Sequence, residues 1–92
     1  MNPHTPAAPA AGVFQIVIYS RRDCHLCDEA KAALARSTAG FPVQLTEIDV
    51  DGDAQLRERY GHQVPVVLLD GRKIFKFRVD ETRLSRRLRR GA

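Results

Sequence analysis

The sequence predicts a small α/β domain with elements in the order β-α-β-α-β-β-α, and three observations carry that prediction. Apolar runs of strand length, rich in Val, Ile, Phe and Tyr, alternate with stretches where apolar residues return every three or four positions. Gly40, Gly52, Gly61 and Gly71 fall between those stretches and break none of them. The only two cysteines, Cys24 and Cys27, stand together where the first strand hands over to the first helix. At 92 residues there is room for one domain with one modest core.

Met1 to Gly12 is rich in Pro and Ala, and is expected to be a disordered leader (1–12) ahead of a domain over 13–90. It has neither the basic start nor the unbroken apolar stretch of a secretory signal. No run in the chain approaches the ~20 apolar residues of a membrane span. The expectation is a protein of the reducing cytoplasm, where paired cysteines are usually catalytic rather than structural.

Val13 to Tyr19 is nearly all apolar, as in a strand buried on both faces. From His25 to Ser37, Leu26, Ala30, Ala33 and Leu34 recur at helical spacing, and Gly40 follows the end. Pro42 opens the next segment, in which Val43, Leu45, Ile48 and Val50 mark a second strand whose alternation slips near Thr46-Glu47. Strand, helix and strand in some 40 residues imply a right-handed parallel crossover. Asp51-Gly52-Asp53 then offers a cap, and Leu56 and Tyr60 share one face of a short helix stopped by Gly61. Val64 to Leu69 is a third strand with Pro65 at its entry, and Asp70-Gly71 is a hairpin signal returning Lys73 to Phe77 as a fourth. Asp80 caps the last helix; Val79 and Leu84 are spaced as a hydrophobic staple across that cap, and Leu88 extends the apolar stripe.

The cysteine spacing has a chemical consequence. Cysteines at i and i+3 across a helix start close a small disulfide ring with little backbone movement. The first sulfur then lies beside unpaired N–H groups and the positive end of the helix dipole, and both favour thiolate. Such motifs lower a cysteine pKa to about 3.5–7.5 from about 8.5, and thiolate is the attacking species in disulfide exchange. Cys24 is therefore assigned as nucleophile and Cys27 as resolving thiol. Arg21 and Arg22 favour the ionised form, whereas Asp23, Asp28 and Glu29 oppose it. The competing readings are a structural disulfide and a zinc site. The first lacks a second pair, and the second needs four ligands, where only His25 and His62 could join and no second C-x-x-C exists. No metal is expected.

The run from Tyr19 to Ala30, with Cys24-His25-Leu26-Cys27 at its centre, resembles the active-site segment of glutaredoxin-like proteins of the thioredoxin fold. Glu47-Ile48-Asp49-Val50-Asp51, Tyr60-Gly61 and Val64-Pro65-Val66 resemble that family in matching order, so that the similarity spans about residues 13 to 90. The resemblance implies a four-stranded mixed sheet, with the first and last helices on one face and the middle helix on the other. It implies that Pro65 is cis and lies against the cysteines, turning the Val64 backbone toward an extended substrate chain. It gives Arg21 a basic position able to hold a glutathione carboxylate, and His25 a place between the cysteines where charge near neutrality would tune the thiolate. Glutathione-using members carry Gly-Gly before the last helix, followed by acidic residues that hold the tripeptide's amino group. Here Phe77-Arg78-Val79-Asp80 stands there; the glycines are gone, while Asp80 keeps an acidic group in place.

Charge is unevenly spread. Arg72 to Arg90 holds nine basic residues against Asp80 and Glu81, while six basic face nine acidic residues before it. Arg86, Arg87, Arg89 and Arg90 alternate with Leu84 and Leu88 as the solvated side of an amphipathic helix would. The sharper reading is a docking patch for an acidic partner or nucleic acid; no aromatic residues interleave with the arginines for single-strand stacking.

The expected function is thiol–disulfide exchange on protein or mixed disulfides by a monomer. It has no tightly bound cofactor, and glutathione or a thioredoxin-type reductase is the electron donor. The alternatives are a glutathione-dependent enzyme acting on glutathionylated substrates, and a binding module whose cysteines are idle and whose basic helix is the working surface.

Overall fold

The sheet is built around β1 (Phe14–Ser20), a central strand that is buried at all positions but its first. In the computed structural model of the chain, residues 12–91 are described; the expected leader, Gly12 apart, lies outside the described residues. After β1 come α1 (His25–Ser37), β2 (Val43–Asp49), a 3-10 turn over Val50–Gly52, α2 (Ala54–Tyr60), β3 (Val66–Leu69), β4 (Arg72–Lys76) and α3 (Glu81–Arg89). The sheet order is β2-β1-β3-β4, with β2 parallel to β1 and the other two pairings antiparallel.

The period of two along β1 decides which helix meets which face. Ile16 and Ile18 join Ala30 and Leu34 of α1 and Leu84 and Leu88 of α3 in one cluster. Val17 and Tyr19 point the other way and join Val50, Leu56 and Val66 beneath α2. The molecule is thus a thioredoxin-like α/β fold, with a four-stranded mixed sheet, α1 and α3 on one face and α2 on the other. Leu34 and Leu84 have no exposed surface, and burying each such side chain contributes about 1.5–3 kcal/mol.

Element ends follow local chemistry. Asp53 and Asp80 cap α2 and α3, their carboxylates accepting from the Leu56 and Arg83 N–H groups at 2.9 and 3.0 Å. Gly61 ends α2 where a Cβ would run into the Arg57 carbonyl. Asp70 and Gly71, at φ 49° and 85°, form the tight hairpin turn.

Element boundaries differ from the sequence expectation: β1 is shifted by one residue, from Val13–Tyr19 to Phe14–Ser20, and β4 opens at Arg72 rather than Lys73, while three further differences have a local cause. Val50 leaves β2 for the 3-10 turn, where it is fully buried under α2. The third strand begins at Val66, two residues late, because Pro65 has no N–H to give the ladder. Phe77 lies outside β4, since its N–H turns to the Pro65 carbonyl at 2.8 Å.

Candidate redox site

The loop between β1 and α1 delivers the cysteines to one end of the sheet. Asp23 turns the chain at φ 56°, a left-handed conformation that aspartate tolerates better than most residues. Cys24 is the N-cap of α1, with extended φ and ψ, and its Sγ accepts the Cys27 N–H at 3.1 Å. The two cysteines are joined as a disulfide, their Cα atoms 5.2 Å apart. Cys27 is only 1 % exposed, whereas Cys24 is half-buried. The pair is therefore asymmetric: one sulfur is within reach of a second molecule, and the other is shielded behind it.

Two sets of polar contacts hold this loop. Arg21 donates from Nε and Nη2 to both Asp51 oxygens at 3.0 and 2.9 Å, and from Nη1 to the Gly61 carbonyl at 3.3 Å. The hydrogen-bonded pair holds the Asp51 carboxyl below its ordinary value and raises that of Arg21. On the other flank, Ser20 Oγ donates to Glu47 at 2.8 Å, and Lys31 reaches the same carboxylate at 3.1 Å. The Ser20 hydrogen bond is the largest cause of a lowered Glu47 pKa, and burial opposes it.

The remaining residues singled out by sequence fall in three places. His25 Nε2 stands 3.2 Å from Glu29, one turn along α1, with its side chain 86 % exposed. The Val64–Pro65 bond is cis and Pro65 is fully buried, while Val64 packs with the cluster beneath α2. Asp80, expected to meet an amino group, gives its Oδ1 to the α3 cap. Arg21, expected to meet a carboxylate, already holds Asp51.

Sequence reasoning named Phe77 only as part of the stretch that replaces the family's Gly-Gly, and gave it no role in the site. A groove of about 190 Å3 runs beside the cysteine helix, between Leu26 and Ala30 of α1 and Phe77, Arg78 and Val79 ahead of α3. Phe77 is 42 % exposed at φ 68°, and the Arg78 N–H bonds back to the Lys76 carbonyl at 2.8 Å around it. That is a γ-turn of the strained, positive-φ kind, which a bulky side chain rarely occupies. The available signal was an aromatic residue standing where the family has glycine.

Residues 15–89 match the family model described as Glutaredoxin-like domain (DUF836). The chain belongs to this family. An uncharacterized protein of Mycobacterium tuberculosis is 36 % identical over 75 residues, covering 76 % of this chain and 77 % of that protein. A glutaredoxin-like protein of Dictyostelium discoideum is 31 % identical over 75 residues, covering 75 % of this chain and 69 % of its own. Among solved structures, a structural genomics target from X. campestris has a TM-score of 0.68 at 37 % identity, covering 84 % of this chain and 99 % of that one. A mutant thioredoxin from Halobacterium salinarum superposes at TM-score 0.60 with 21 % identity, over 84 % of this chain and 73 % of the other, and so shows the shared fold. The glutaredoxin-like domain thus carries a C-x-x-C pair at the start of its first helix, the arrangement of a redox protein. No helix among the described residues is long and apolar enough to cross a membrane.

Proposed function

We propose that this glutaredoxin-like domain is a thiol–disulfide oxidoreductase that reduces disulfides of protein substrates. The observation that carries the reading is the asymmetry of the pair. The reachable sulfur of Cys24 receives an N–H from the helix start, and Cys27 is sealed behind it. In the dithiol form that N–H and the helix dipole favour a Cys24 thiolate.

The thiolate attacks one sulfur of the substrate disulfide. The substrate S–S bond breaks, a Cys24–substrate disulfide forms, and the departing thiolate takes a proton from water. Cys27, as thiolate, then attacks the Cys24 sulfur, and the second substrate thiolate leaves and is protonated. The substrate gains two electrons and two protons, and Cys24–Cys27 is left as the disulfide. An outside donor returns the two electrons. A thioredoxin-type reductase fits this role better than glutathione, because Arg21 is paired with Asp51, one oxygen of Asp80 is taken by the α3 cap, and Phe77-Arg78-Val79 stands where the family carries Gly-Gly. No tightly bound cofactor takes part, and the reaction belongs in a reducing compartment such as the cytoplasm.

The test is a reductase-coupled assay on a protein disulfide, run with a thioredoxin system and with glutathione. Turnover with the former, and accumulation of a mixed disulfide through Cys24 in Cys27→Ser, are the expected results. Turnover with neither donor would sink the proposal.

A further inference from the structure

The strongest charge feature of the molecule lies away from the disulfide. A groove of about 500 Å3 runs between β4 and α3, and its rim carries Arg72, Lys73, Arg83, Arg86, Arg87 and Arg90 with no acidic side chain among them. Three cations outside the groove are ion-paired, Arg21 with Asp51, Lys31 with Glu47 and Arg36 with Glu81; what distinguishes the groove is that six cations share one concavity. Among the described residues none of the six rim cations is ion-paired. Lys73 reaches only the Gln63 amide oxygen, Arg83 lies over the Phe75 ring at 5.7 Å, and Arg87 donates to the Gly91 carbonyl. Six like charges held around one concavity raise the local potential for an anion and repel one another until it arrives.

Three features say what kind of anion fits. The floor includes the half-buried Ile74, so an occupant with an apolar side chain between its charges would meet an apolar surface there. Phe75 is only 8 % exposed and its ring is covered by Arg83, so no aromatic face is open for a nucleobase. β4 is the last strand of the sheet, paired on one side only, and an extended chain can add to such an edge through its backbone. Guanidinium forks then match carboxylates in geometry as well as sign.

The groove also points at the redox end. Lys76 pairs with Val66, which pairs with Tyr19 beside the cysteine loop; Arg72 pairs with Leu69, which pairs with Ile16. On β4 the groove ends at Phe75, one residue short of Lys76; four strand steps, about 13 Å, therefore separate its far end at Arg72 from the strand position level with the cysteine loop.

We infer that the β4–α3 groove docks an acidic, extended segment of the protein whose disulfide Cys24 attacks. The segment lies about four residues or more from its reactive cystine. The inference rests on the proposed disulfide reduction, and it adds a substrate class to it: protein disulfides flanked at a distance by Glu- or Asp-rich chain.

The test uses two synthetic peptides with the same internal disulfide. One carries an alternating Glu-Val tail six residues from the cystine; the other carries a Gly-Ser tail. Reduction of both by the full chain is followed with a thioredoxin system. The acidic tail should lower KM about ten-fold at low ionic strength, with kcat unchanged, and the advantage should fade as salt is added. The triple variant Arg72→Gln/Arg86→Gln/Arg90→Gln should lose the advantage while reducing the Gly-Ser peptide at the normal rate. Fluorescence anisotropy of the labelled Glu-Val tail alone, beside single- and double-stranded oligonucleotides of equal charge, reads docking without chemistry.

An acidic-tail advantage that persists in the triple variant, or oligonucleotides binding more tightly than the peptide, would overturn the inference. Reduction of neither peptide, with the tail still bound by wild type and released by the triple variant, would leave the groove as a docking site and remove the redox reading instead.

Discussion

Two loops, one leading into α1 and one leading into α3, each place a non-glycine residue in the left-handed region. Asp23 stands at φ 56° one residue before the cap of α1, and Phe77 at φ 68° three residues before the cap of α3. The first is accommodated by local chemistry, because a short polar side chain tolerates that conformation. The second is not. Phe77 is held where it is by its surroundings: its N–H is taken by the Pro65 carbonyl, and Val79 and Leu84 anchor the chain that follows. Strain of this kind persists where neighbouring structure over-determines the backbone, and it gathers at binding surfaces.

If tertiary packing holds the Phe77 loop, loosening the packing should be the most damaging change. Leu84 is fully buried between α3 and the sheet, and Leu84→Ala should cost about 2–5 kcal/mol in denaturant unfolding. Removing the cap tests the next level. Asp80→Ala should cost about 1 kcal/mol through the lost bond to the Arg83 N–H, with no change in Cys24 alkylation rate if the two loops are independent.

Relieving the strain itself should have the opposite sign. Phe77→Gly should raise stability by about 0.5–1 kcal/mol, because glycine takes positive φ freely. Asp23→Gly should change it by less than about 0.5 kcal/mol. Equal shifts for both would erase the distinction between the two loops.

The smallest effect is that of pH. Glu47 is held below the ordinary carboxylate range by the Ser20 hydroxyl first, with Lys31 adding to it. A carboxylate with a lowered pKa in the fold contributes stability that is complete above its unfolded value and lost as pH falls through the folded one. Unfolding midpoints should therefore be level near neutrality and decline below about pH 4, and Ser20→Ala should flatten that decline.

Much of this was legible in the chain. The limits of α1 were readable to the residue, because Leu26, Ala30, Ala33 and Leu34 trace one face and a cysteine stands at the cap. The same holds for the Asp53 and Asp80 caps and the Asp70-Gly71 turn, which depend on residues within four positions of one another. Side-chain partners across the sheet were not legible. The pairing of Arg21 with Asp51, 30 residues on, was not foreseen; it arises because β2 runs parallel to β1 and brings the following turn beside the cysteine loop. Asp80 was expected to serve a ligand as well as the helix, and its Oδ1 serves the helix.

What the sequence determined by itself was the order of elements, the C-x-x-C pair at the start of the first helix and the asymmetric spread of charge. Each depends on periodicity, on spacing or on composition within a short window. What only the tertiary structure decided was which charges neutralise one another and which are left to face a partner. It also decided that Phe77 would be forced into a turn its own side chain disfavours. Both depend on residues far apart in the chain meeting across the sheet, and a linear pattern does not encode such distances.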